Sequence, residues 1–189
     1  GLKYSFPIRK KVLFHDGTAL TPEDVKYSLL RFLLTDRASG PSFLLQEPLF
    51  GLTSLAGPDG KPDPKFFDAA DTAVKIEGGA VVIRLKKPYA PLLGILASFC
   101  PIVSKAFTVK NGGWDGRRET WTQFHNPAKQ QAALYDRANG TGPFKLERWD
   151  KENKQVILAR NPAYWREPEK LERAVFKTVN EPSARRLML

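Results

Sequence analysis

Few residues in this sequence are of types that do chemistry, and their spacing limits what they can do. There are two histidines and one cysteine. His15 is followed by Asp16, which looks at first like an acid–base pair. Neighbours at a strand end point to opposite sides, and no Ser or Cys nucleophile stands beside them. With Gly17 next, the pair reads as a capped turn. His125 is the only other histidine, too little for a His-based metal site. Cys100 has no CxxC partner and no glycine elbow, so it reads as a small buried hydrophobe. Gly140-Thr141-Gly142-Pro143 looks superficially like a phosphate loop. It lacks the Gly-Lys-Ser/Thr ending, a strand is expected after it, and Pro143 has no N–H to offer. Asp59-Gly60-Lys61-Pro62-Asp63 has oxygen ligands but no glutamate closing a calcium loop. Trp114, Trp121, Trp149 and Trp165 suit ligand stacking or packing, and packing is favoured. No catalytic constellation emerges, and no cofactor or metal is implied. An enzyme would need such a constellation.

The chain has 189 residues, 42% of them apolar and 26% charged. That balance excludes a disordered or low-complexity chain. One cysteine excludes a disulfide framework. The longest weakly polar run, Ala90 to Val103, is interrupted by Ser98 and Pro101. It falls short of the ~20 residues of a membrane-spanning helix. A net charge of +10 raises a second class of function, a basic nucleic-acid-binding domain. The distribution argues against it. The tightest cluster is Arg9-Lys10-Lys11, and from Lys145 to Leu189 there are 11 basic and 7 acidic residues. Charges so mixed describe a solvated surface.

The elements that must position these residues follow from punctuation and period. Tyr4 to Ile8 and Val12 to Phe14 read as short strands, with a turn at Asp16-Gly17. Thr21 as N-cap, Pro22 at the first helical position and Glu23-Asp24 in the first turn open a helix ending near Thr35-Asp36. A short helix at Ser42 to Phe50 precedes an irregular loop. Ala73 to Glu77 and Ala80 to Lys86 form a hairpin about Gly78-Gly79. Pro88 to Ala97 holds a helix, and Ile102-Val103 a short buried strand. Ala106 to Asn126 is polar, and Asn126-Pro127 opens a helix to about Arg137. Phe144 to Trp149 and Gln155 to Arg160 form a second hairpin. Arg173 to Val179 is a further strand, and Glu181 to Leu189 a helix. The fold class is α+β, with mixed or antiparallel sheets and flanking helices. The two ends read as those of a piece cut from a longer protein.

The order of motifs adds a family. Tyr4-Ser5-Phe6-Pro7-Ile8-Arg9-Lys10-Lys11-Val12-Leu13-Phe14-His15-Asp16-Gly17 resembles the strand–turn signature of the family 5 extracellular solute-binding proteins, peptide-binding receptors of ABC importers. Thr21-Pro22-Glu23-Asp24-Val25-Lys26-Tyr27-Ser28 resembles that family's next helix. Val81 to Pro91 resembles its strand and proline-led helix. Gly140-Thr141-Gly142-Pro143-Phe144 and Arg160-Asn161-Pro162-Ala163-Tyr164-Trp165 resemble its later landmarks.

The resemblance implies a partial first lobe of a two-lobed, periplasmic-binding-protein type II-like fold. Residues 1–140 would be most of its peripheral subdomain, without the earliest strands. Residues 141–189 would be part of its core subdomain, with the second lobe absent. It implies a non-enzymatic receptor, periplasmic or extracellular, secreted or anchored as a lipoprotein. Its partners would be an oligopeptide or other small solute and an ABC permease, not nucleic acid. Similar receptors carry peptides, nickel complexes, sugars and opines. The family's cleft is approached by segments matching Ser39 to Phe43 and Ser98 to Phe99. Phe43 and Phe99 would then pack on a peptide side chain, and Ser39, Ser42 and Ser98 would hydrogen-bond it; the alternative is that both segments serve only packing. The Lys110 to Thr122 loop departs from common family patterns.

Overall fold

A computed structural model describes residues 1–37, 40–51, 55–57 and 61–187. Its chain divides into two compact units. The first comprises Gly1–Lys11 and Ala19–Tyr135; the second comprises Val12–Thr18 and Asp136–Leu189.

The first unit is a small antiparallel sheet covered by helices. Strands β1 (Lys3–Pro7), β2 (Val74–Glu77) and β3 (Ala80–Arg84) pair in the order β1-β3-β2. Register places Tyr4 and Val74 beside Ile83, and Phe6 and Ile76 beside Val81. Alternation puts these six side chains on one face, where they join the core. The β2–β3 hairpin turns at Gly78 and Gly79, both with positive φ, as a two-residue loop of this kind requires.

Helix α1 (Pro22–Thr35) lies against that sheet. Its start follows the sequence reading: Thr21 and Asp24 form a reciprocal capping box, and Pro22 opens the helix. Leu29, Leu30, Phe32, Leu33 and Leu34 are all buried. Tyr27 stacks on Trp114 at 5.7 Å, donates its hydroxyl to the Trp114 carbonyl (2.5 Å), and burial pushes its pKa up to about 12. Around α1 pack α2 (Phe43–Phe50), α3 (Lys65–Ala73) and α5 (Lys105–Lys110), and α4 (Leu92–Phe99) packs on α2.

The second unit is an antiparallel sheet of β4 (Phe144–Asp150), β5 (Gln155–Arg160) and β6 (Arg173–Lys177), in that order, with a short helix α6 (Pro182–Leu187). The register shifts between Leu146 and Arg148. Simple alternation along this strand therefore fails at Glu147.

Several sequence expectations are corrected. Val12 to Phe14 forms no strand, although Val12 and Phe14 are buried. Ile102-Val103 is also not a strand. The Val103 N–H instead donates to Ser28 Oγ (2.9 Å), so a helix side chain takes the place of a sheet partner. The helix expected from Asn126 to Arg137 is reduced to a 3-10 turn at Lys129–Gln131. Asn126 has φ 50°, outside the extended conformation of an N-cap. The 3-10 turn itself buries no residue, and short helices without an apolar face are marginal. Two helices are additional, α3 and α5. Phe66, Ala70 and Ala73 give α3 its buried stripe, and Ser104 caps α5 by accepting from the Phe107 N–H (3.2 Å). Among the described residues, no helix is long and apolar enough to cross a membrane.

Candidate functional site

Among the residues singled out for solute contact, Ser42 and Phe43 stand at the start of α2, and Ser98 and Phe99 at the end of α4. A helix leaves its last carbonyls without intrahelical donors, and α1 has no glycine cap to tie them off; Asp36 follows in extended conformation. Other segments supply the donors. Gln46 Nε2 reaches the Leu33 carbonyl (3.5 Å), His125 Nδ1 donates to that of Leu34 (2.9 Å), and the Asn126 N–H donates to that of Asp36 (3.2 Å). His125 also meets Trp121 edge-on at 5.7 Å. It is a structural clamp on α1.

The Asp36 side chain then shapes the following loop. Its Oδ1 accepts from the Arg37 N–H (2.9 Å) and its Oδ2 from the Ser42 N–H (3.0 Å). Ser42 is buried, and its Oγ accepts from Gln46 Nε2 (3.3 Å). Phe43, one residue on, is 57% exposed. Ser39 lies outside the described residues.

At the end of α4, Ser98 is exposed and Phe99 is 44% exposed. Cys100 turns inward. Burial, with the Asp36 charge adding to it, pushes its thiol up to about 12, so it is an inert thiol at neutral pH. Helices α2 and α4, which carry Phe43 and Phe99, contact one another. Of the five expected residues, Phe43, Ser98 and Phe99 are thus open to solvent, while Ser42 serves the start of α2.

The other candidates prove structural. In the second unit, the neutral His15 ring accepts the Gly140 N–H at Nδ1 (3.3 Å) and donates from Nε2 to the Gly142 carbonyl (3.1 Å). Asp16 and Asn139 exchange two bonds, Asp16 N–H to Oδ1 (3.1 Å) and Nδ2–H to the carboxylate (2.7 Å). Lys145 donates to the His15 carbonyl (3.0 Å). Burial lowers the His15 pKa, the Lys145 charge adds to this, and the Gly142 carbonyl and Asp16 oppose it. Burial raises the Asp16 carboxyl, but bonds from Thr18 and Asn139 outweigh it and leave the pKa below the usual range.

The glycine-bearing 140–143 segment is therefore a strut. Asn161, almost fully buried, donates to the same Gly142 carbonyl (3.0 Å). Trp114 and Trp121 are core residues. Arg166 lies over the Trp165 ring at 4.3 Å, and Lys151 over that of Trp149 at 4.9 Å. Asp59 and Gly60 lie outside the described residues. Among the described residues, no three His, Cys, Asp or Glu side chains gather as metal ligands.

Sequence reasoning missed Asp36, Gly40, Gln46 and Asn139. Their partners are set by chain folding, and only the four-residue spacing of Asp36 and Gly40 at a helix end was a usable local signal.

Comparison with known proteins agrees with this architecture. The model of the bacterial extracellular solute-binding proteins, family 5 (middle), matches residues 1–189. The chain is 26% identical over 187 residues to the probable D,D-dipeptide-binding periplasmic protein DdpA of Escherichia coli, covering 99% of this chain and 29% of that protein. It is 28% identical over 198 residues to di/tripeptide-binding protein 2 of Pseudomonas aeruginosa, covering 98% of this chain and 31% of that protein. The fold resembles the oligopeptide-binding protein AppA of Bacillus subtilis, solved with a nonapeptide. The TM-score is 0.67 at 19% identity, over 100% of this chain and 30% of that one. The chain thus spans about a third of the length of its relatives. With its whole length matched by the family model, the chain belongs to the family 5 bacterial extracellular solute-binding proteins.

Proposed function

We propose that this chain is part of the first lobe of a receptor that captures peptides or related small solutes outside the cytoplasm and presents them to an ABC permease. The observation carrying this is the whole-chain match to a solute-binding family, in which both curated relatives named above are peptide-binding proteins. The receptor is periplasmic or extracellular and catalyses no reaction. Residues 1–140 form the peripheral subdomain and 141–189 part of the core subdomain. The grouping of contacts divides the chain close by, between Tyr135 and Asp136, and adds Val12–Thr18 to the second unit.

In this reading Phe43 and Phe99 pack on a ligand side chain, and Ser39, Ser42 and Ser98 bond to it. The exposure of both rings supports the assignment, since aromatic rings left in water are available for burial by a solute. The test is a thermal-shift screen of the full-length protein against a peptide library. At least one peptide is expected to raise the Tm, and Phe43→Ala and Phe99→Ala are expected to reduce that rise. Unchanged shifts in both variants would remove these rings from the site.

A further inference from the structure

Helix α2 begins at Phe43 with no cap from the Ser42 side chain. The first N–H groups of a helix need acceptors, and a negative charge there is favourable. The Asp36 carboxylate, six residues upstream, accepts from the Ser42 N–H at 3.0 Å, just before the first turn. That turn carries Phe43. One charged group therefore meets the backbone at the start of the segment that carries Phe43.

The fit depends on Gly40. A Cβ at residue 40 would lie 2.1 Å from Asp36 Oδ2, 2.3 Å from Cγ and 2.4 Å from Oδ1. Real Cβ atoms do not approach so closely, and Gly40 is buried. Its φ is not in the left-handed region. What demands glycine here is the carboxylate and not the backbone. The Gly40 N–H donates to the Arg37 carbonyl (2.9 Å).

We propose that Asp36 is a positioning residue for the solute-facing ring of Phe43, setting the start of α2, and that Gly40 is glycine to make room for it. This rests on the peptide-receptor reading above. Asp36 itself touches no solute in this scheme; it acts through the Ser42 N–H.

A double-mutant cycle on the full-length protein tests the pair, using a peptide that raises the Tm of the wild type. Asp36→Ala and Gly40→Ala are each expected to weaken affinity by about tenfold, and the double variant is expected to be about as weak as either alone, because neighbours sharing one contact are not additive. Asp36→Asn, which keeps an acceptor, should bind closer to wild type than Asp36→Ala does. Affinities are measured well below each variant's unfolding temperature, so a merely structural role would leave them unchanged. Wild-type affinity in Gly40→Ala, or losses that multiply in the double variant, would overturn the proposal.

A second arm needs no peptide. The Ser42 amide should exchange slowly with deuterium in the wild type and faster in Asp36→Ala. Rapid exchange in the wild type would overturn the Asp36 contact by itself. If no peptide binds while the Ser42 amide is protected, the receptor reading fails and the contact stands.

Discussion

At the scale of single residues, His15 makes the most specific prediction. Its ring holds a backbone N–H at one nitrogen and a backbone carbonyl at the other, an arrangement open only to the neutral form. A proton added at Nδ1 would face the Gly140 N–H. The folded pKa is held below the ordinary 6.5, so the folded state binds this proton less readily than the unfolded chain. The contribution is fully present above the unfolded value and is lost as pH falls toward the folded one. Urea unfolding should therefore show a midpoint falling from about pH 7 to about pH 5 in the wild type, with a flatter profile in His15→Ala, because the linked proton is gone. Equal slopes would assign the pH dependence elsewhere. The turn role of His15-Asp16 was legible in the sequence because Asp and Gly carry local turn chemistry. Asn139 was not, since it pairs with Asp16 across 123 residues. Gly142 corrects the local reading. The sequence suggests a need for backbone freedom there, yet its φ is not in the left-handed region and open space surrounds a Cβ. Its carbonyl, shared by His15 and Asn161, carries the role.

Among the elements, α1 and α4 give opposite expectations. Thr21 caps α1 in a reciprocal box with Asp24, and Asp24 Oδ1 also accepts from the Lys105 N–H at the start of α5 (2.9 Å). Thr21→Ala should cost about 1 kcal/mol. Gly94 sits within α4, and an added Cβ meets nothing within 4 Å. Gly94→Ala should stabilise the protein by about 0.4–1 kcal/mol. Denaturant midpoints measure both, and a destabilising Gly94→Ala would contradict the described packing of α4. The helices that announced themselves had agreeing signals at the start, as α1 did with Thr21, Pro22 and two acids. Helix α3 was hidden because Pro62-Asp63-Pro64 reads as loop punctuation, although Phe66, Ala70 and Ala73 already carried a helical period. The Asn126 to Arg137 segment erred in the other direction. Asn-Pro suggests a start, but the chain buries no side chain of the turn it forms there, and burial stabilises most protein helices.

For the whole molecule, many basic groups are interleaved with acidic ones. Exposed ion pairs include Lys3 with Glu77 (3.2 Å), Arg173 with Glu147 (2.9 Å) and Arg118 with Asp68 (2.8 Å). Such pairs contribute little stability individually. What the molecule offers instead is a family scaffold with aromatic rings left in solvent at the ends of two helices. Motif order made the scaffold legible, because turn and cap residues recur at fixed intervals. The solute was not legible, since contact residues are set by shape.

The most direct measurement is isothermal titration of the full-length protein with di-, tri- and longer peptides. Saturable binding of at least one peptide class is expected, with a Kd of about 1 μM or tighter. No saturable binding by any peptide from a folded protein would contradict the peptide-receptor reading.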